Sequence, residues 1–336
     1  MALTGAIAYG RPMHRILRGL LVFVVVALVA FGGVLAFDAP ATPPPLASIS
    51  EPFQHVDFSE LPPARTYAAR DGARLGYLAY EGPGTEVVVL IHGSSDDGSG
   101  IHPLAMALRD AGASVYVPVL RGHGHSGRSG DIDYIGQLED DLADLVAVLR
   151  PLHPAARYTL IGFSSGGGFV LRVLARPEAS LFDRFIMVSP VLPHDAPTLR
   201  PNTGGWVSLA LPRIIALTIL NRMGIDWFNG LPIIAFATSP KATNLTSVYS
   251  FRMAFDFGAP NDYLAGLGAS TKPAALLIGS ADELFYPDRF APLFKPVRSD
   301  LQITIVPGVG HIGMTLTPEG IAAVRKSFLD LTAPAG

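Results

Sequence analysis

The chain has 336 residues, of which 49% are hydrophobic and 35 are glycine, enough to bury one large core but tight for two independent ones. Its net charge is -3, and beyond the N-terminus it has no run of lysine or arginine, which excludes the electrostatic footprint of a nucleic-acid or polyphosphate binder. Cysteine is absent, so disulfides, thiolate metal sites and a cysteine nucleophile are excluded too.

Residues 19–37 carry no charge and consist mostly of Val, Leu, Ala and Phe. As a helix they extend about 28 Å, close to the ~30 Å hydrocarbon core of a bilayer. Arg11, Arg15 and Arg18 precede this stretch without an acidic residue among them, and Asp38 follows it. The positive-inside bias then predicts a cytoplasmic N-terminus (1–18), a transmembrane signal anchor (19–37) and an extracytoplasmic remainder. The competing expectation is a secreted protein, because Val34-Leu35-Ala36 and Ala39-Pro40-Ala41 are small-x-small cleavage patterns. The anchor is preferred because signal peptides have shorter apolar cores, about 7 to 15 residues. Residues 38–64, with Pro43-Pro44-Pro45 and Leu61-Pro62-Pro63, read as an extended proline-rich spacer that lifts the next domain off the membrane.

Two β-like runs at 66–70 and 74–80 flank Asp71-Gly72, a hairpin signal because both residues tolerate positive φ. Short, continuously apolar runs follow at 87–91, 114–119, 158–161, 185–188, 274–278 and 302–306. Unbroken runs of that length suit strands buried on both faces. Helical patterns fill several of the gaps, at 103–110, 137–149 and 167–175. Such alternation predicts an α/β fold with a mostly parallel central sheet and right-handed crossovers. The alternation breaks between 194 and 261, which hold Trp206 and Trp227, and this stretch is predicted to be an inserted helical cap on a core formed by 65–193 and 262–332.

Gly162-Phe163-Ser164-Ser165-Gly166 is the chain's G-x-S-x-G, with a strand pattern running into it and a helical pattern following. A nucleophile elbow needs that setting, because its serine sits on a strained turn whose neighbours must be small. A phosphate loop at a helix N-terminus is disfavoured, since no lysine follows the glycines and no G-x-G-x-x-G is present. A serine nucleophile needs a base, and the base an orienting carboxylate. Asp282 lies just beyond the run 274–278, and His311 just beyond 302–306, at the carboxyl ends where an open α/β sheet builds its site. Glu283 and Asp195 are the substitutes for Asp282. The backbone N–H groups of Ser94, after His92-Gly93, and of Ser165 are the candidate oxyanion donors. His123 and His125 form an H-x-H that lacks further ligands and reads as loop structure rather than metal site.

Taken together, His92-Gly93, Arg121-Gly122-His123-Gly124 with Ser126, Gly162-x-Ser164-x-Gly166, Asp282 and His311 resemble the α/β-hydrolase superfamily, in its monoacylglycerol lipase, lysophospholipase and serine-aminopeptidase-like branch. The likeness covers residues 65–332 outside the cap. It implies Ser164 as nucleophile, His311 as base and Asp282 as its partner, with no metal and no cofactor. Two departures stand out: Pro118-Val119-Leu120 where relatives often carry an Asp, and Ser165 where monoacylglycerol lipases commonly have Met. Carboxylic ester hydrolysis is the expected reaction. Its alternatives are acyl transfer or aminopeptidase activity, the latter needing a carboxylate such as Asp256 or Asp262 to hold a free amine; a catalytically silent binding protein is disfavoured by the complete catalytic set. Epoxide hydrolases and haloalkane dehalogenases of this fold want an aspartate at position 164. The apolar content of the cap predicts a small, lipid-like ester as substrate.

Overall fold

The computed structural model describes residues 10–239 and 242–333, with side chains from residue 16 onward apart from 202 and 203. An eight-stranded sheet forms its centre. In chain order its strands are β1 (Arg65–Ala68), β2 (Arg74–Tyr80), β3 (Glu86–Ile91), β4 (Ser114–Pro118), β5 (Arg157–Phe163) and β6 (Arg184–Val188). Three short strands of the insertion follow, β7 (Val207–Leu209), β8 (Pro232–Phe236) and β9 (Val248–Ser250), before β10 (Ala274–Gly279) and β11 (Gln302–Val306) complete the central sheet. Across that sheet the order is β1-β2-β4-β3-β5-β6-β10-β11. The hairpin β1-β2 is antiparallel and joins β4 antiparallel, while β4, β3, β5, β6, β10 and β11 run parallel.

The continuous apolar runs have a simple cause. Successive side chains of a strand point to opposite faces, and both faces of β3 to β6 and of β10 are covered, whereas β11, at the sheet edge, is mostly exposed despite its apolar run. In β3, Val87, Val89 and Ile91 pack with the helices Gln137–Leu149 and Ser165–Leu174, whereas Val88 and Leu90 pack with His102–Asp110 and Pro318–Thr332. The turn between β1 and β2 needs Gly72 at φ 84°, and the Asp71 carboxylate accepts the Ala73 N–H at 2.9 Å.

Two expectations are revised. Residues 38–64 do not stand off as an extended spacer. They include a helical turn at Ala47–Ser50 and a 3-10 turn at Glu51–His55, the Leu46 N–H bonds the Ala237 carbonyl at 3.3 Å, and Leu61 packs on the core. Leu61 gains more by covering apolar surface than a stiff spacer gains by staying extended. The insertion is also more than helices. Besides the cap helix Leu211–Arg222 and the helix Phe251–Asp256, it holds the antiparallel sheet β7-β8-β9. Strands of three to five residues are too short for a period of two to stand out from a buried helical segment.

Candidate active site

β5 runs straight into Ser164, which has φ 56° and ψ -119° and leads into the helix Ser165–Leu174. That backbone is held on both sides: the Ser164 N–H bonds the Val188 carbonyl at 2.9 Å, and the Ser164 carbonyl accepts Gly168 N–H and Val191 N–H at 3.0 Å each. A Cβ at Gly162 would overlap the Gly166 carbonyl, and one at Gly166 would meet the carbonyls of Ile91 and His92. The two glycines therefore let strand, turn and helix close so tightly that Ser164 is pushed out over the end of the sheet.

The loops after β10 and β11 meet the same point. Gly279 lies where a Cβ would overlap the Val309 carbonyl, and the Ala281 N–H bonds that carbonyl at 3.0 Å, so the two loops are stitched together. His311 Nδ1 is 2.8 Å from Asp282 Oδ2, and His311 Nε2 is 3.0 Å from Ser164 Oγ. An ionised carboxylate only accepts, so Nδ1 carries the proton and Nε2 is free to accept from the serine hydroxyl. A hydroxyl bonded in this way can pass its proton to the ring as it attacks an electrophile.

Asp282 is only 1% exposed, and burial by itself pushes its carboxyl up. The attraction and hydrogen bond of His311 and the Leu284 amide outweigh burial, so the carboxyl lies below its ordinary value and stays charged. Its second oxygen accepts Leu284 N–H and Phe285 N–H at 2.9 and 3.1 Å, which fixes the plane it presents to His311. Of the substitutes, Glu283 accepts the backbone N–H of His311 at 2.7 Å instead of reaching the ring, and Asp195 is exposed.

Gly93 brings the loop after β3 against Ser164: a Cβ there would sit 3.4 Å from Ser164 Cβ. Next to it the hydroxyls of Ser94 and Ser165 are 2.5 Å apart, so the residues proposed as oxyanion donors are neighbours. Among the described residues neither backbone N–H has a hydrogen-bond acceptor. The cap holds this loop. Ser95, at φ 67°, donates its N–H to Tyr249 Oη at 2.8 Å and accepts Thr246 N–H at 2.8 Å, while the Tyr249 hydroxyl also bonds His123 Nε2. Burial, then the nearby His92, holds the His123 imidazole well below its ordinary value, so it remains a neutral acceptor.

His125 is exposed while His123 is buried, and no group of three His, Cys, Asp or Glu able to hold a metal occurs among the described residues. Asp256 is buried and accepts Gly136 N–H and Leu138 N–H at 2.6 and 3.0 Å; Asp262 is exposed, 4.0 Å from Arg176. Asp256 is thus occupied by backbone amides, and Asp262 lies in solvent. Sequence reasoning also passed over the cage around His311, formed by Phe163, Phe285 and Trp206 with ring centroids at 4.9, 5.3 and 5.4 Å. Phe163 and Phe285 sit beside motif residues and could have been found there; Trp206 comes from the cap and carries no such signal.

Among curated proteins, a monoacylglycerol lipase of Mycolicibacterium smegmatis is 32% identical over 115 residues, 33% of this chain and 41% of that protein. The match thus spans less than half the relative's length. Among solved structures, the chain is similar to a soluble variant of monoglyceride lipase from Saccharomyces cerevisiae (TM-score 0.62, 20% identity, 84% of this chain and 99% of that one). It is similar as well to a monoacylglycerol lipase of Paleococcus ferrophilus (TM-score 0.58, 19% identity, 77% and 99%). A thermophilic esterase from Thermogutta terrifontis gives a TM-score of 0.55 at 20% identity, with 81% and 100% covered. These likenesses establish the α/β-hydrolase fold. The family described as Serine aminopeptidase, S33 matches residues 82–315, which is more than half of the chain, and the protein belongs to that family of α/β-hydrolases.

Proposed function

We propose that this protein is a serine hydrolase that cleaves carboxylic esters of lipid-like acyl chains. The observation that carries the reading is the array Ser164 Oγ, His311 Nε2 and Asp282 Oδ2, linked at 3.0 and 2.8 Å on the carboxyl ends of the parallel strands. In this reading His311 takes the Ser164 proton as Oγ attacks the ester carbonyl, and the N–H groups of Ser94 and Ser165 receive the oxyanion. The protonated ring then gives its proton to the departing alcohol, and water, deprotonated by the same ring, releases the acid. The names of the similar lipases and esterases support an ester over an amide. So does the placement of Asp256 and Asp262, neither of which is set to bind the free amine of a peptide.

The test is a series of p-nitrophenyl esters beside aminoacyl amides. Each buried methylene contributes about 0.8 kcal/mol, so four additional carbons are worth about 3 kcal/mol, roughly a hundredfold in kcat/KM at full burial. Esters of about six to ten carbons are expected to be cleaved better than acetate. Highest kcat/KM on acetate or on an aminoacyl amide overturns the substrate reading.

The same proposal places the catalytic domain on a membrane. The helix Gly10–Phe37 contains a 22-residue stretch, Ile16–Phe37, with a mean hydropathy of 3.0; none of it is fully buried, and only its end from Phe31 onward is partly covered. We read it as a retained anchor, because Leu35 packs in the small cluster of Leu217, Ile233 and Phe251, contacts that a cleaved segment would not serve. A periplasm-active reporter fused at the C-terminus is expected to be active; activity of only a cytoplasmic reporter overturns this orientation, and a mature N-terminus near Thr42 overturns retention.

A further inference from the structure

The cap helix Leu211–Arg222 is apolar on two sides. One side is accounted for: Ala216 and Leu217 are buried, the latter against Ile233 and Phe251. The other side stays largely exposed, with the N-terminal helix beside it only at Ile215 and Ile219. Leu211, Ile215, Ile219 and Met223, four residues apart, are each 45% to 69% exposed, and beyond the helix end Trp227 is 83% exposed and Phe228 is 42% exposed. Residues at i, i+4, i+8 and i+12 drift by about 40° per step, so they form a single stripe within an arc of about 120°. Exposed apolar surface of this extent marks a binding surface.

The N-terminal helix shows what covers it. Its end is pinned to the start of the cap helix: Asp38 Oδ2 accepts the Arg213 N–H at 2.9 Å, filling one of the open donors of the first turn. Phe31 and Val34 meet Pro212, Ile215, Ala216 and Ile219 around a shared groove of about 270 Å³. Residues 19–30, the uncharged part of the helix ahead of that contact, stand clear of the protein and are exposed. At 1.5 Å per residue they supply about 18 Å, short of the ~30 Å that a bilayer core requires. The remaining ~10 Å comes from residues 31–37, where the anchor lies against the cap helix. The cap helix therefore sits at the depth of the outer hydrocarbon, and the exposed Trp227 beyond its end is of the residue type enriched at that interface.

We propose that the stripe Leu211, Ile215, Ile219 and Met223, with Trp227 and Phe228, is immersed in the outer face of the bilayer that holds the anchor, so that the ester substrate is drawn from the membrane itself. The proposal rests on the anchor reading above. Trp206, whose ring lies against His311, is five residues before Leu211, at most about 17 Å of extended chain. The near end of the stripe thus lies within about 17 Å of chain from the cap residue that packs on His311.

The chain has no cysteine, so a single probe site can be introduced anywhere. Ile219→Cys, Trp227→Cys, Val24→Cys and Leu152→Cys, in the full chain, are labelled with an environment-sensitive nitrobenzoxadiazole dye and reconstituted in phosphatidylcholine vesicles containing a spin-labelled phosphatidylcholine quencher. Leu152 is exposed on the core and serves as the aqueous reference. Quenching of the labels at 24, 219 and 227 by at least twofold, with none at 152, is the expected result. Quenching at 24 with positions 219 and 227 behaving like 152 overturns the proposal and leaves the anchor standing. A label at 24 that is not quenched overturns the anchor and the proposal with it. A dye at 219 that is shielded from water yet not quenched by lipid means that a second copy covers the stripe, which also overturns the proposal. As a functional readout, Ile215→Asp with Ile219→Asp is expected to keep turnover of a water-soluble short ester and to lose about tenfold on an ester dissolved in vesicles. Equal turnover on the two substrates, relative to the unmodified protein, overturns substrate uptake from the bilayer.

Discussion

Replacing Asp282 by Asn tests the assignment of the acid at the level of single protons. The two carboxylate oxygens have different partners: Oδ1 accepts from the Leu284 and Phe285 amides at 2.9 and 3.1 Å, and Oδ2 from His311 Nδ1 at 2.8 Å. An asparagine can satisfy only one side. Turning its NH₂ toward the backbone would leave two buried N–H groups without an acceptor, at about 1 to 3 kcal/mol each. Its oxygen therefore faces Leu284 and Phe285, and its NH₂ faces His311. The ring must then accept at Nδ1 and carry its proton on Nε2, where it points at Ser164 Oγ and cannot take the serine proton. Loss of the carboxylate also removes the partner of the imidazolium that forms during attack. Together these changes are expected to lower kcat for an activated ester by about a thousand- to ten-thousandfold, some 4 to 5.5 kcal/mol of barrier, with near-ultraviolet circular dichroism unchanged. Glu283→Gln is the control, because glutamine keeps an acceptor for the His311 N–H that Glu283 now accepts at 2.7 Å. Its loss should stay within about fivefold. Less than a tenfold loss for Asp282→Asn, or a greater loss for Glu283→Gln, refutes the assignment.

Ser164→Ala is expected to abolish both ester turnover and covalent labelling by a fluorophosphonate, whereas Ser165→Ala, which keeps the backbone N–H, should still label; equal labelling of Ser164→Ala and the unmodified protein would remove Ser164 as nucleophile. Acid should destabilise the fold through His92, whose imidazole burial pushes down to about 4. A histidine with a depressed folded pKa contributes stability that is present above its unfolded value near 6.5 and lost as the pH falls from there, about 3 kcal/mol between pH 7 and 4 for this residue. His92→Gln should flatten the fall of Tm over that range, and an unchanged slope would speak against it. Glu139 behaves in the opposite sense: burial and the neighbouring Asp256 push its carboxyl up to about 8 against the pull of Arg172. The folded state holds that proton, so stability is lost as the pH rises from the ordinary carboxyl range toward 8. Glu139→Gln should therefore raise the urea midpoint more at pH 8 than at pH 5, and an equal gain at both would refute the buried charge.

The central sheet was legible because strands covered on both faces need unbroken apolar runs, and β3 through β6 have them. The positions of Ser164 and His311 were legible because each follows an apolar run at the carboxyl end of the sheet, although β11, the run before His311, lies at the sheet edge and is mostly exposed. Asp282 and Glu283 are adjacent acids on one loop, so no pattern in the chain tells them apart. Only the folded loop sends one to the ring and the other to the His311 backbone. The hold of Tyr249 on the Ser95 loop was out of reach, since the two lie 154 residues apart and a tyrosine in an apolar strand looks like any core residue. The linker misled because proline content reports a stiff chain, not whether a surface waits to receive it. In the same way the sequence marked an apolar N-terminal helix and an apolar cap separately. Their meeting at Asp38 and Arg213, and the outward face that it leaves beside the N-terminal helix, depend on where two distant segments come to rest. Local patterns determine which segments must be buried or turned; which of them face each other is decided by the packing of the whole chain.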